Sequence, residues 1–449
     1  MRALRTELRQ LLRLAAPLAA AQAGTQVMTL VDLAVVGRLG ARELAAAGLG
    51  NTIFFTISVI GMGIVFGIDP LISQAFGSDD PMRARHVLWQ GVWLSLGATV
   101  VLSIPLALLP FALPHFGMQP DLLRPTAIFV LVRSLGLAPL LLFLVARAYL
   151  QAQGVTRPMV VAMLAGNVFN LVSDLVLVFG FGPIPPMGVA GAALSTSLGS
   201  LLQLGVVAWW LRAPVHAPTQ AQAYAKRRPH WPEIRRAIRV GLPIGLQMGL
   251  EIGIFTFVGV LAGHLGTLDL AAHQLVLSLA SLTYTIALGI ANAAAVRVGL
   301  AVGARDRAAT RTAGFAALLG AGSWMTCGAL LLSVFPRQVA RLVTDKPDVI
   351  AVAVPLLFVA AIFQLSDGIQ VVAAGALRGA GDTHFAFIAN LVAYWLIGLP
   401  IALYLGFSRQ MGVLGLWWGL CAGLAVAATL LFLRFNRMSG REIVPLHQR

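Results

Sequence analysis

Asp367 lies in the middle of Ala361–Thr383, AIFQLSDGIQVVAAGALRGAGDT, a stretch that starts as membrane-grade apolar sequence and ends in a Gly-rich turn. An acid at the centre of a spanning helix costs about 2.5–3.5 kcal/mol on insertion scales. A chain keeps such a residue where it has a partner, a cavity or an ion. Three more acids have similar surroundings: Asp32 in QVMTLVDLAVVG, Asp174 in GNVFNLVSDLVLVFG and Glu251 in LPIGLQMGLEIGIFTF. Acids with amides and hydroxyls beside them can hold a proton or a small hard cation. Na⁺ takes oxygen ligands, and Asp, Asn and Thr supply them.

The spacings place these groups on helix faces. Back from Asp32 by threes and fours come Thr29, Thr25 or Gln26, then Gln22, so one face is polar. Asn167, Asn170 and Asp174 follow at i+3 and i+4 and share a face. Asn167 by itself reads as glue between helices, worth about 0.6–2 kcal/mol. Gln247 precedes Glu251 by four and Pro243 by eight, and Pro243 is expected to kink the helix. Gln364 and Gln370 flank Asp367 at three residues on either side. No basic residue stands near Glu251 or Asp367 in sequence. Such a pair is either partly protonated or neutralised by a cation, as a coupling site requires.

Weaker candidates for a substrate cleft are Gln247, Gln364, Tyr284, Asn292, Met28 and Met248, the methionines as soft pocket lining. Asp69 reads equally as a helix cap or as part of a cytoplasmic gate. Arg133 and Arg147 read as snorkelling or acid-paired. His264 and His273 receive no role.

Helices must carry these residues through lipid. The chain has 449 residues, 58% hydrophobic and 11% charged, where soluble domains carry about 25% charged. About twelve aliphatic runs are long enough to cross roughly 30 Å of hydrocarbon. The fold class is therefore all-α and polytopic. The net charge of +15 belongs to topology rather than to nucleic acid. With the N-terminus inside, the even connections and both tails hold most arginines, among them Arg83, Arg157, Arg235, Arg305 and Arg378. This bias sets both ends in the cytoplasm. Cys327 and Cys421 lie in apolar runs, so no disulfide or metal framework is implied. No cleavable signal peptide is expected.

The two halves repeat. Pro17 pairs with Pro243 at an offset of 226 (243 − 17), and Leu39-Gly40 with Leu265-Gly266, Leu44-Ala45-Ala46 with Leu270-Ala271-Ala272, and Gly77 with Gly303 at the same offset. After one slip, at 227 (377 − 150), Leu150, Gly154 and Thr156 meet Leu377, Gly381 and Thr383. A register held this far marks a duplication. It divides the chain into an N-terminal six-helix lobe at 1–211, a cytoplasmic linker at 212–236 and a C-terminal six-helix lobe at 237–449. The cleft between lobes is the expected substrate site. The acids are not duplicated: Glu251 falls opposite Thr25, Asp32 opposite Val258 and Asp367 opposite Leu140. Two different ion sites are expected.

VDLAVVGRLG, GIDPLISQAFGSDD, LQAQGVTRP, LPIGLQMGLE and FQLSDGIQVVAAGALRGAGDT together resemble the multidrug and toxic compound extrusion (MATE) family, most closely its NorM-like bacterial branch. The resemblance covers about Leu11 to Phe435. It implies two six-helix bundles in a V that work by alternating access. It also implies export of cationic amphipathic compounds against an inward Na⁺ or H⁺ gradient. Asp32, Glu251 and Asp367 occupy the places of the family's coupling acids. Asn170 and Asp174 look like the amide–acid pair of its N-lobe cation site, with Thr196 a further carry-over. Na⁺ is then expected at Glu251 and Asp367 or at Asp32 and Asp174, with no other cofactor. The implied partners are small cationic drugs and membrane lipid. The chain is expected as a monomer in a bacterial inner membrane.

Two other classes fit the residues less well. A flippase for lipid-linked oligosaccharide needs arginines for pyrophosphate, whereas the midplane groups here are acids. An intramembrane enzyme needs motifs that are missing: Asp79-Asp80 stands alone, and no H-E-x-x-H or G-x-S-x-G occurs where a spanning protease needs one. No enzyme activity is expected.

Overall fold

The computed structural model describes residues 2–116, 119–212 and 227–448. Most of the expected linker, 213–226, lies outside the described residues. Among the described residues, twelve helices are long and apolar enough to cross a membrane. Spans 1–6 are Leu4–Gly37, Ala41–Gly77, Pro81–His115, Pro120–Ala152, Arg157–Phe179 and Val189–Arg212. Spans 7–12 are Trp231–Leu265, Thr267–Gly303, Arg307–Val334, Pro347–Ala380, Thr383–Ser408 and Gly412–Ser439. In lipid every backbone amide must be paired within its own segment, which leaves the helix as the spanning form for such sequence. Large apolar side chains accordingly point outward: Val100, Val101, Ile104, Leu108 and Phe111 of span 3 are each more than half exposed.

The duplication seen in sequence is repeated in the turns. Asp79 and Arg305, 226 apart, both have φ 55°. The next residues, Asp80 and Asp306, each accept a hydrogen bond at 2.9 Å from the amide three positions on, those of Arg83 and Ala309. These are matching N-caps for spans 3 and 9. At offset 227, Gly154 has φ 76° and Gly381 φ 80°. The amides of Val155 and Asp382 reach back 2.9 Å to the carbonyls of Leu150 and Leu377. This six-to-one bond ends a helix in the left-handed region, which suits glycine.

Spans 1 and 7 run further than hydropathy suggests. Sequence alone starts them near Leu11 and Val240, whereas the helices begin at Arg2 and Trp231. A hydropathy criterion stops at charges, but a helix does not. The added turns carry Glu7 and Glu233, themselves 226 apart.

The chain forms two compact units, Ala20–Gly245 (the N-unit) and Met1–Ala19 with Leu246–Arg449 (the C-unit). Each boundary falls inside a helix, and the two boundaries are 226 apart (245 − 19). The start of span 1 belongs to the C-unit and the start of span 7 to the N-unit. Small residues hold each start to its host. A Cβ on Gly63 of span 2 would lie 2.0 Å from the Gly245 Cα, and one on Gly289 of span 8 would lie 2.8 Å from the Ala19 Cα. Gly63 and Gly289 are again 226 apart. Ion pairs fasten the same segments. Arg297 donates to Glu7 from Nε and Nη2 at 2.7 and 2.6 Å. Arg83 and Arg236 donate to Glu233 Oε1 at 3.2 and 2.9 Å.

Within the N-unit, residues 227–230 run beside span 3. Gln90 donates to the Arg228 carbonyl and accepts from the His230 amide, and Trp93 donates to the Arg227 carbonyl. Within the C-unit, spans 8 and 10 approach backbone to backbone. A Cβ on Gly375 or Gly379 would meet the Ala291 or Ala295 carbonyl oxygen at 2.4 or 2.3 Å. This is a G-x-x-x-G contact, and it explains Gly375 and Gly379. The C-unit core is built on Trp417, Phe363 and Tyr394. Span 11 is π-helical over Leu391–Gly398 and again over Tyr404–Ser408.

Candidate ion sites in the two units

In the N-unit the polar face of span 5 meets spans 1 and 6. Asp174 and Asn170 are fully buried. The Thr196 hydroxyl donates to Asp32 Oδ2 at 3.1 Å while also donating back to the Ala192 carbonyl at 2.9 Å. Asn170 Nδ2 donates to Ser195 Oγ at 3.1 Å, and Ser195 and Ser173 lie 2.6 Å apart. The Asp32 and Asp174 carboxyls are within electrostatic reach of each other. Asp32 Oδ1, Asp174 Oδ1 and Oδ2, and Asn170 Oδ1 have no donor from the protein. The structure thus brings Asp32, Asn170, Asp174 and Thr196 together. Two facing carboxyls ringed by neutral oxygens can share a proton or hold a monovalent cation.

The rest of that neighbourhood is structural. Asn167 donates to the Gly24 carbonyl at 2.9 Å, tying span 5 to span 1. Thr25 and Thr29 spend their hydroxyls on carbonyls one turn back. Met28 packs toward Gly199 of span 6.

In the C-unit, Glu251 of span 7 meets Tyr284 of span 8 at 3.5 Å and lies near the Gln370 side chain of span 10. Asp367 is buried and lies within electrostatic reach of Glu251. Trp395 of span 11 donates to the Leu250 carbonyl at 3.2 Å, which pins the turn that carries Glu251. Gln364 is buried beside Gly328 with both polar atoms unpartnered. Gln247 is buried one turn before Glu251, and Met248 is half-buried. Asn292 does not join this group: it accepts from Arg378 at 2.9 Å, two turns along span 8 from Tyr284.

None of the four ion pairs resolved among the described residues includes Asp32, Asp174, Glu251 or Asp367. The span-4 arginines are packed on rings of span 2, Arg133 over Phe54 at 4.4 Å and Arg147 over Phe66 at 5.2 Å. Sequence reasoning missed Ser173, Ser195, Asn390 and Tyr394. The last two left a trace, as an Asn and a Tyr four apart in the apolar run FIANLVAYWLIG.

The MatE family profile matches this chain twice, over residues 17–176 and 243–404. The two matches begin at Pro17 and Pro243, the pair that sets the repeat. The chain is 34% identical over 442 residues to the probable multidrug resistance protein NorM of Rhizobium meliloti (strain 1021), covering 97% of this chain and 94% of that protein. It is 36% identical over 440 residues to the probable multidrug resistance protein NorM of Deinococcus radiodurans, covering 96% and 95%. Its fold is similar to a crystal structure of a MATE protein in the bent conformation, with a TM-score of 0.87 at 22% identity, covering 98% of this chain and 97% of that one. With its profile matched in both halves and relatives this similar over nearly their whole length, the chain belongs to the MatE family.

Proposed function

We propose that this chain is a cation-coupled multidrug antiporter that exports cationic amphipathic compounds across a bacterial inner membrane. The names of its relatives support the multidrug part, and the family makes it a transporter rather than an enzyme. One observation carries the coupling. Two pairs of acids, Asp32 with Asp174 and Glu251 with Asp367, sit inside spanning helices and outside every ion pair resolved among the described residues. Intramembrane acids of this kind mark ion pathways.

In this reading the cation is Na⁺ or H⁺, and it alternates with the drug at the acids, directly or through conformation. Ion entry from outside neutralises the carboxyls and favours drug release. Ion departure inside prepares the next loading, in an alternating-access cycle. The membrane potential contributes about 2.3 kcal/mol per charge per 100 mV. The reading includes a monomer with both termini in the cytoplasm. The flippase alternative loses support because Arg133 and Arg147 are stacked on phenylalanines within the N-unit.

The test is efflux of a fluorescent cation from proteoliposomes, driven first by an imposed Na⁺ gradient and then, separately, by a pH gradient. Efflux under at least one gradient is expected. Efflux indifferent to both would end the coupled reading.

A further inference from the structure

Span 3 holds the segment 227–230 in place from buried positions. Gln90 is 1% exposed, and it spends both polar groups on that segment. Its Nε2 donates to the Arg228 carbonyl at 3.1 Å, and its Oε1 accepts from the His230 amide at 2.7 Å. Trp93 Nε1 donates to the Arg227 carbonyl at 2.7 Å. The Arg227 guanidinium lies over the Trp89 ring, 5.1 Å from its centre. Arg227 and Arg228 are therefore exposed on a backbone fixed at three points.

Their charge is not cancelled locally. Between Leu175 and Leu250 the sequence has six arginines and one lysine against a single acid, Glu233. That acid is engaged by Arg83 and Arg236. Arg227 and Arg228 belong to none of the four ion pairs resolved among the described residues. Two adjacent guanidinium groups with no acid of their own suit an anion, and their planar forks match phosphate oxygens.

Span 3 also sets the level of the pair in the bilayer. Trp93, Leu96, Val100, Ile104, Leu108 and Phe111 recur every three or four residues and are all exposed, so they make one lipid-facing track. Trp93 heads that track, and tryptophan is favoured where acyl chains meet headgroups. Trp231, which opens span 7 just after the segment, is 66% exposed. The arginines are thus held at headgroup level at the end of an apolar face. Free phosphate has no use for such a face, whereas a phospholipid uses both parts.

We propose that Arg227 and Arg228, held on span 3 by Gln90 and Trp93, bind the phosphate of an anionic phospholipid whose acyl chains lie along the face from Trp93 to Phe111. A zwitterionic lipid carries its own cation beside the phosphate and gains less from the pair. The site is separate from the intramembrane acids and does not depend on ion coupling.

The test is native mass spectrometry of the purified full-length chain in detergent, titrated with phosphatidylglycerol and, separately, with phosphatidylcholine. Wild type is expected to bind phosphatidylglycerol more tightly. Arg227→Gln combined with Arg228→Gln should weaken that binding about tenfold and leave phosphatidylcholine unchanged. Arg337→Gln combined with Arg341→Gln removes the same charge from exposed positions between spans 9 and 10 and should alter neither. Trp93→Phe keeps both charges but loses the bond to the Arg227 carbonyl, and it should weaken phosphatidylglycerol binding severalfold. If the Arg227 and Arg228 double variant does not fold, Arg228→Gln, which leaves the Arg227 stack on Trp89 in place, decides with a loss of about fivefold. Equal wild-type affinity for the two lipids would overturn the proposal. An equal loss in the Arg337 and Arg341 variant would do so too, by tracing the preference to net charge alone. Inorganic phosphate bound as tightly as phosphatidylglycerol would assign the arginines to a free anion and overturn the lipid reading.

Discussion

The Thr196 hydroxyl donates to Asp32 Oδ2 across 3.1 Å, joining span 6 to the acid of span 1. The same hydroxyl also touches the Ala192 carbonyl, so its orientation is fixed by the helix that carries it. A hydrogen bond to a charged group contributes about 1.5–3 kcal/mol. Thr196→Val keeps the shape and loses the bond. It should lower ion-driven efflux about tenfold, and Thr196→Ser should restore most of it. Equal efflux by Thr196→Val and wild type would remove Thr196 from the N-unit site.

Asp367→Asn and Glu251→Gln change charge with almost no change in volume. Both should insert and melt like wild type yet lose coupled efflux. Ethidium efflux from inverted vesicles reads this directly, and full transport by Asp367→Asn would refute a role for that acid. The paired amide–acid geometry of the N-unit predicts a graded outcome there: Asp174→Asn should impair efflux more than Asn167→Ala, because Asn167 spends its amide on the Gly24 carbonyl.

Gly63→Ala should destabilise, because its methyl would lie 2.0 Å from the Gly245 Cα. Overpacking of this kind costs about 1–3 kcal/mol. Gly48 in the same span has nothing within 4 Å of an added Cβ. Gly48→Ala should instead be neutral or stabilising by about 0.5–1 kcal/mol. Melting in detergent compares the two, and Gly63→Ala melting no lower than Gly48→Ala would contradict the packing described.

Glu7→Gln and Glu233→Gln each weaken a partly buried ion pair. In each pair the side chains are 13% exposed on the acid and 26–27% on the arginine. Such pairs contribute about 0–1 kcal/mol, and the two-pronged Arg297–Glu7 contact should lie at the upper end. Both variants should therefore melt slightly earlier at low ionic strength, with the difference shrinking in high salt as the charges are screened. A deficit independent of salt would point to packing instead.

Much of this was legible in the residues themselves. Pro17 and Pro243 announced the duplication, and the turns at Asp79 and Arg305 repeat it in backbone angle. Spacing on one face predicted that Asn170 would join Asp174, and the structure places Ser195 against Asn170 as well. Ser195 was not foreseen because a serine in a membrane helix usually bonds its own backbone, as Thr25 and Thr29 do. Tyr394 was hidden because its aim depends on π-turns that no local pattern announces. The helical starts around Glu7 and Glu233 were cut short because hydropathy cannot follow a helix into charged sequence. Asn292, a weaker candidate for the cleft, accepts from Arg378 of span 10, a partner that spacing along span 8 does not reveal.

The crossings at Ala19–Ala20 and Gly245–Leu246 bear on ancestry. Neither repeat is self-sufficient, because each lends its opening turns to the bundle made by the other. A lone ancestral copy would leave those turns without the neighbours they pack against here. Halves produced from separate genes, cut between Arg212 and Arg227, should accordingly be recovered only when made side by side.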